Sequence, residues 1–276
     1  MAPVTDKSSR LASAKRIGVF VLLVVGLGAL FATVATPWVG LSWWKVFRRC
    51  VSVASALSLW FVVTRLEGRS LRSYGFSGAT PAKRQFWLGI LLGVCSLLAL
   101  LVIGFAGGLC RFNLSPESWK LVRTVVGFLP AAVLIGVLEE LVFRGFLLQQ
   151  LLSWSQPSAL LISSLAYSLV HVRVRTMDVS IGLELIGLFL LGGLLALTYV
   201  RTKQLYLGVG LHAILAYGAR VNKLFLEFPD LSLAWLSGTN RLINGLLGWS
   251  VLLLAGAIMW RLTDRLPQGG MLNANN

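Results

Sequence analysis

Charged residues are scarce in this sequence, and acidic residues are the scarcest of them. Only 13% of the 276 residues are charged and only ten are Asp or Glu, whereas 57% are hydrophobic. Soluble domains average about 25% charged and about 45–50% apolar residues. The composition therefore excludes an ordinary soluble domain and predicts a membrane protein.

Several signatures of common hydrolases are also missing. The chain has neither the HExxH pattern of zinc proteases nor the GxSxG pattern of serine hydrolases. Its three cysteines, Cys50, Cys95 and Cys110, lie in or beside apolar runs and form no evenly spaced framework. This placement predicts small buried side chains rather than disulfides, metal ligands or nucleophiles.

The formal net charge of +15 could indicate a nucleic-acid partner. A nucleic-acid-binding protein concentrates its basic residues on one module or face. Here they are scattered between apolar runs, which is typical of the anchors that hold membrane segments at the bilayer surface. We therefore expect the lipid bilayer, and no nucleic acid, as the surroundings of this chain.

Long apolar runs are what the sequence has in abundance, and a spanning helix needs about 20 such residues. They predict an all-α polytopic membrane protein with about eight transmembrane helices and an active site inside the helix bundle. Residues 1–16 are predicted to form a polar basic tail, residues 17–262 one membrane domain, and residues 263–276 a flexible tail. The predicted helical segments are 17–39, 50–64, 85–110, 124–152, 158–172, 179–200, 204–219 and 242–260. The second segment extends towards Trp43 if Lys45, Arg48 and Arg49 snorkel.

The stretch VLEELVFRGF, residues 137–146, interrupts an apolar run with Glu139, Glu140 and Arg144. A charged side chain at the membrane centre costs about 2.5–3.5 kcal/mol on insertion scales, so such residues are functional candidates. Glu140 and Arg144 are four residues apart on a helix and can form an ion pair. Glu139 lies about 100° away on another face. A structural ion pair explains Glu140 and Arg144 but leaves Glu139 unexplained.

The sequence has two histidines, and both lie in apolar helical runs: His171 in SSLAYSLVH and His212 in GVGLHAILAYG. A single histidine on an apolar face is usually a core residue, but these two and Glu139 together form a set capable of hydrolysis. A carboxylate can take a proton from water and pass it to a leaving amine. A histidine donor to the oxyanion is worth about 3–4 kcal/mol. Glu184, a further membrane carboxylate, is interpreted as a structural or lining residue.

Three short motifs, in this order, resemble those of the CAAX-protease and bacteriocin-processing family. EELVFR (residues 139–144) is similar to its Glu-Glu-x-x-x-Arg signature. YSLVH (residues 167–171) resembles its Phe-x-x-x-His motif, with Tyr167 in place of the phenylalanine. HAILA (residues 212–216) resembles its His-x-x-x-Asn motif. The resemblance extends over about residues 71–218. The family comprises glutamic intramembrane endopeptidases and includes the type II CAAX prenyl protease.

The resemblance implies a role for each matching residue. Glu139 would be the general base that activates water together with His171, and His212 would stabilise the oxyanion. Glu140 and Arg144 would order the site. No cofactor or metal is implied. The implied substrate is a membrane-anchored peptide or protein, and the absence of the long extensions and organelle signals of eukaryotic members favours a bacterial plasma membrane.

The chain departs from the family pattern at Ala216, where the family has an asparagine. This change removes one side-chain donor from the expected oxyanion site, and Tyr217 or Asn222 could substitute for it. A catalytically weak member that acts as an immunity or binding protein is therefore an alternative.

Two further functions remain open from the residues themselves. Two histidines and a glutamate can hold zinc, although these histidines lie on separate helices without a paired-ligand spacing. Membrane carboxylates and histidines also relay protons in transporters, although the sequence shows no repeated halves of the kind transporters have. We favour a metal-independent protease over a zinc protease and over a proton-coupled transporter.

Overall fold

The computed structural model describes residues 7–76, 79–113, 118–171, 179–228, 231–238 and 244–264. Helices account for nearly all of these residues, and the sheet among them is a pair of two-residue strands. The predicted all-α membrane fold is therefore confirmed. Residues 1–6 and 265–276 lie outside the described ranges, so the flexible C-terminal tail stays a prediction.

The helices are numbered in chain order. α5 continues without a break through a π-helical segment, Leu141–Leu148, into α6. Strands β1 (Arg111–Phe112) and β2 (Leu226–Glu227) pair antiparallel. The α-helices are α1 (Lys7–Val39), α2 (Trp43–Phe61), α3 (Ala79–Ala106), α4 (Ser118–Val125), α5 (Phe128–Glu140), α6 (Gln149–Leu151), α7 (Gln156–His171), α8 (Val179–Thr202), α9 (Tyr206–Phe225), α10 (Ala234–Ser237) and α11 (Leu246–Thr263).

Within the described residues, six helical stretches are long and apolar enough to cross a membrane. All eight predicted segments correspond to helices, but α7 and α9 are not among these six, so the predicted count of eight is not confirmed. α7 has only 16 residues, fewer than a full span requires. The six stretches are Lys7–Val39, Trp43–Leu66, Ala82–Ala106, Trp119–Leu151, Ile181–Thr202 and Leu246–Thr263.

The first two helices begin earlier than the apolar runs do. α1 begins at Lys7, so most of the basic N-terminal segment is helical. α2 begins at Trp43 and includes Lys45, Arg48 and Arg49. Lysine and arginine are good helix formers, and their long stems lie along apolar surface while the charges reach water. The basic residues at the starts of α1 and α2 therefore lie at the membrane edge but remain part of the helices.

α9 lies at the centre of the bundle and packs closely against α3. A Cβ atom at Gly89 of α3 would lie 2.2 Å from the Leu207 carbonyl oxygen, and one at Gly210 of α9 would lie 2.2 Å from the Phe86 carbonyl oxygen. Only glycine allows the two backbones to approach this closely. Leu211 is fully buried in the core cluster formed by these helices. This packing fixes the helix that carries His212.

A polar network holds the far end of the α5–α6 helix. The buried Glu67 carboxylate accepts a hydrogen bond from Gln150 of α6 at 2.6 Å and another from the Tyr74 hydroxyl. Arg16 of α1 lies 3.6 Å from the same carboxylate. Burial and the bond to Glu67 raise the pKa of Tyr74, so its hydroxyl stays a donor at neutral pH. The network joins α1 to the helix that carries Glu139 and Glu140.

The cysteines differ from one another in their surroundings. Cys110 is buried, Cys50 is half-buried and Cys95 is exposed. The predicted burial is therefore wrong for Cys95, because its side chain lies on the outer face of α3, where an apolar helix contacts lipid instead of core. Burial raises the pKa of the Cys110 thiol, which keeps it protonated and unreactive.

Candidate active site

The two adjacent glutamates end α5 in different surroundings. The Glu140 side chain is completely buried, as is that of Arg144 one turn later. The Glu139 side chain is 26% exposed. A step of one residue turns the helix by about 100°, which moves Glu139 away from the sealed core and towards the histidines of α7 and α9.

Glu140 is the centre of a buried cluster of charges. Its Oε1 atom accepts a hydrogen bond from Arg144 Nη1 at 2.9 Å and contacts His212 Nδ1 at 2.8 Å. Arg144 Nη2 donates to the Gly192 carbonyl oxygen of α8 at 3.0 Å. A carboxylate that is paired with a guanidinium only accepts hydrogen bonds, so His212 carries a proton on Nδ1.

Glu139 faces both imidazole rings. Its Oε2 atom lies 3.0 Å from His171 Nε2 and 3.5 Å from His212 Nε2. His171 Nδ1 lies 2.7 Å from the Tyr167 carbonyl oxygen, which only accepts, so this nitrogen carries a proton. The short contact between His171 Nε2 and Glu139 then requires one further proton between them. The structure thus brings together the three residues that the sequence analysis grouped, and their roles stay predictions.

Tyr167 is the residue whose part in this site the sequence analysis missed. Its hydroxyl lies 3.4 Å from His212 Nε2, and its ring centroid lies 4.2 Å from that of His171. The Arg144 guanidinium lies 4.6 Å from the same ring centroid, a favourable cation–π distance. The signal was present in the sequence, because a hydroxyl-bearing side chain replaces the phenylalanine of the second motif.

The two residues considered as substitutes for the family asparagine are directed elsewhere. The Tyr217 hydroxyl donates to the Val125 carbonyl oxygen at 2.8 Å. Asn222 follows His212 by ten residues on α9, about 15 Å along the helix axis. Ala216 is half-buried one turn after His212. Neither Tyr217 nor Asn222 therefore faces the space next to His212 Nε2.

Glu184 lies on α8 in the candidate span Ile181–Thr202 and is half-buried. Nearby, Ser168 of α7 donates to the Leu185 carbonyl oxygen at 2.8 Å, which joins the two helices at this level. The interpretation of Glu184 as a structural or lining residue stays a prediction.

A search of the described residues found no group of three or more His, Cys, Asp or Glu side chains arranged to hold a metal ion. The arrangement does have one property of zinc ligands. Each imidazole donates from Nδ1 to a fixed acceptor and directs Nε2 towards Glu139, as histidines that bind zinc do. Hydrolysis by a general base also needs both Nε2 atoms to face Glu139, so this orientation does not distinguish the two reactions.

Comparison with known proteins gives one family match. Residues 119–217 match the model of the family described as type II CAAX prenyl endopeptidase Rce1-like. A search of curated proteins found no match to the chain. The matched segment includes α5, α7, α8 and most of α9, and therefore every residue of the site described above. At the level of the family, the match over residues 119–217 supports an intramembrane protease of the CAAX type, and the apolar helices of the described residues agree with a multi-pass membrane protein.

Proposed function

We propose that this chain hydrolyses a peptide bond in a membrane-associated peptide or protein, inside the bilayer and without a bound metal. The observation behind this proposal is the convergence of three groups. Glu139 Oε2 lies 3.0 Å from His171 Nε2 and 3.5 Å from His212 Nε2. Glu139 and His171 are about one quarter exposed, so water has access to them.

Glu139 and His171 act first. The carboxylate takes a proton from a water molecule that His171 helps to hold. The water oxygen bonds to the carbonyl carbon of the scissile peptide, and the carbonyl π electrons move to its oxygen. When the carbonyl re-forms, the C–N bond breaks and the proton passes from Glu139 to the leaving amine. No side chain forms a covalent bond with the substrate.

His212 stabilises the oxyanion. Its Nδ1 proton is directed at Glu140, so Nε2 can donate a hydrogen bond only when the ring is doubly protonated. The buried Glu140 carboxylate lies 2.8 Å from that ring and accepts its Nδ1 proton in a hydrogen bond. Arg144 and the Gly192 carbonyl keep the carboxylate in position. Glu140 and Arg144 are thus positioning residues that act through His212.

Tyr167 supplies a second donor to the oxyanion, in the role that the change at Ala216 leaves vacant. Its hydroxyl lies 3.4 Å from His212 Nε2, so both groups can donate to one oxygen atom. The ring is held between His171 and the Arg144 guanidinium, which limits the movement of the hydroxyl. A fixed donor of this kind is worth about 10²–10³ in kcat.

A zinc-dependent reaction at the same atoms is the second candidate, because both Nε2 atoms and Glu139 Oε2 face one another. Metal analysis of the purified full chain distinguishes the two reactions. The metal-free reaction predicts less than stoichiometric zinc and cleavage that persists with a strong chelator. Stoichiometric zinc, with cleavage lost on chelation and restored by added zinc, would assign the site to a metal.

Comparison of membrane peptides by mass spectrometry tests the activity and finds the substrate. The experiment uses cells that express the wild type, Glu139→Gln or the matched control Glu227→Gln, whose carboxylate is exposed on β2. A bacterial plasma membrane is the expected location. Peptides that accumulate uncleaved only with Glu139→Gln support proteolysis.

Two other outcomes identify the alternatives. Identical peptides in all three strains, with the phenotype intact in Glu139→Gln cells, would indicate an immunity or binding protein. Proton-coupled uptake into vesicles that Glu139→Gln abolishes would indicate a transporter.

A further inference from the structure

A cavity lies at the membrane surface, apart from Glu139 and the two histidines. It has a volume of about 490 Å³ and lies between α4 and the C-terminal end of α9. Arg220, on its α9 side, follows His212 by eight residues, about 12 Å along the helix axis. The lining residues are Trp119, Lys120, Arg123, Thr124, Arg220, Lys223 and Leu224.

The lining is strongly basic. Of these seven described residues, four are lysine or arginine and none is acidic. α4 provides Lys120 and Arg123, and α9 provides Arg220 and Lys223, so each helix contributes two cations three residues apart. Residues at this spacing share a helix face, and the two faces meet across the cavity. A cleft lined by charges of one sign raises the local concentration of the opposite ion, so this lining favours an anion.

The cavity is also held open by fixed walls. The Tyr217 hydroxyl of α9 donates to the Val125 carbonyl oxygen at the end of α4 at 2.8 Å. This bond joins the two helices directly beside the basic residues. The Arg220 guanidinium lies 5.8 Å from the centre of the Phe128 ring of α5. The packing therefore fixes the helix backbones that carry the cations.

The depth of the cavity in the membrane indicates the kind of anion. Trp119 begins the candidate span Trp119–Leu151, and 72% of its surface is exposed. Tryptophan at the end of a span marks the level of the lipid headgroups. Lysine and arginine at that level attract anionic headgroups. The cavity thus opens where lipid phosphates are concentrated.

We propose that this cavity binds a phosphate-bearing anion at the membrane surface. Two sources share this chemistry: the headgroup of an anionic phospholipid and free inorganic phosphate. The site is separate from the groups proposed to hydrolyse peptides, so it does not depend on proteolytic activity.

Native mass spectrometry of the purified, delipidated full chain tests this site. Phosphatidylglycerol and phosphatidylcholine are titrated separately against the wild type and Arg123→Gln/Arg220→Gln, which removes one cation from each helix. We expect the wild type to prefer phosphatidylglycerol. The double variant should bind it about fivefold more weakly for each removed charge, about 25-fold in total. Inorganic phosphate is then added to the wild-type complex. Displacement of the lipid assigns the site to phosphate itself, and retention assigns it to the lipid headgroup.

The matched control is Arg48→Gln/Arg49→Gln, which removes two exposed cations from α2. It should keep the wild-type preference for phosphatidylglycerol. Equal binding of both lipids by the wild type would overturn the proposal, as would equal weakening by the two double variants. Thermal unfolding of both variants checks that each is folded, and Arg123→Gln and Arg220→Gln alone serve if the double variant is not.

Discussion

Glu139 and Glu140 are neighbours in the chain, but they lie in two regions that differ in how far their side chains are exposed. The inner region contains Glu140, Arg144 and the Nδ1 edge of His212, whose side chains are 0%, 0% and 5% exposed. The outer region contains Glu139 and His171, at 26% and 27%. His212 contacts both regions, with one ring nitrogen directed at each glutamate.

The difference shows how one side-chain type can serve two purposes within a single turn of helix. A buried charge is tolerated only when its partners are complete, because an unpaired one is strongly destabilising. In the inner region the Glu140 carboxylate is paired through Oε1 with a guanidinium and an imidazole. The outer region is open enough to exchange protons with water. We therefore expect changes to the inner region to lower stability as well as to disturb the position of His212, and changes to the outer region to lower activity alone.

Glu139→Gln should give the largest loss of activity. The amide keeps the shape of the side chain but cannot take a proton, and a general base contributes about 10²–10⁴ in rate. Cleavage of the substrate found by peptide profiling should fall by that factor, with the thermal unfolding temperature unchanged. A variant that cleaves at the wild-type rate would remove Glu139 from the mechanism.

Arg144→Met should lower the thermal stability, which Glu139→Gln leaves unchanged. Methionine fills much of the same space but leaves the buried Glu140 carboxylate without its cation, which typically costs about 3–5 kcal/mol. Thermal unfolding in detergent measures the loss. The double variant Glu140→Gln/Arg144→Met should recover part of it, since no unpaired charge remains. If the double variant were less stable than Arg144→Met, the cost of burying an unpaired carboxylate would not be the cause of the loss.

Tyr167→Phe separates catalysis from packing at the boundary of the two regions. The ring and its contacts remain, and only the hydroxyl near His212 is lost. We expect kcat to fall by about 10²–10³ while KM stays nearly constant, because the oxyanion exists only after attack. Adding Ala216→Asn to Tyr167→Phe should restore activity, whereas Ala216→Asn in the wild type should change activity little. A fall in stability with kcat unchanged would make the hydroxyl purely structural.

Tyr217→Phe should have the smallest effect and is the matched control for Tyr167→Phe. It removes a hydroxyl that donates to the Val125 carbonyl oxygen, away from the glutamates. Hydrogen bonds inside membrane proteins average about 0.6 kcal/mol, so thermal stability should fall slightly and kcat should not change. A large loss of activity here would extend the site towards α4.

The sequence allowed the fold and the division between the glutamates to be predicted. The apolar runs are long enough to mark helices, and the separation of Glu139 from Glu140 follows from the helical repeat alone. The number of spans was harder to predict, because α7 is helical but has only 16 residues and α9 is largely buried in the bundle. The start of α2 at Trp43 agrees with the extension that the sequence analysis allowed if Lys45, Arg48 and Arg49 snorkel.

The contacts that give the site its chemistry could not be predicted. His212 and Glu140 are 72 residues apart, and Arg144 and Gly192 are 48 apart. The second partner of Arg144 is the backbone carbonyl of Gly192. Every residue type has such a carbonyl, so the residue type at position 192 does not indicate this contact. Tyr167 was noted as a departure from the motif, but only the distance from its hydroxyl to His212 gives that departure a meaning.

The π-helical segment that follows Glu140 has a consequence for how the chain can change length. Arg144 lies in the π-helical segment Leu141–Leu148, where each turn contains more residues than an α-helical turn. Deleting a residue there would tighten the coil and rotate the guanidinium away from Gly192, even if every remaining side chain were kept. Spacing in this segment is therefore under as tight a constraint as amino-acid type.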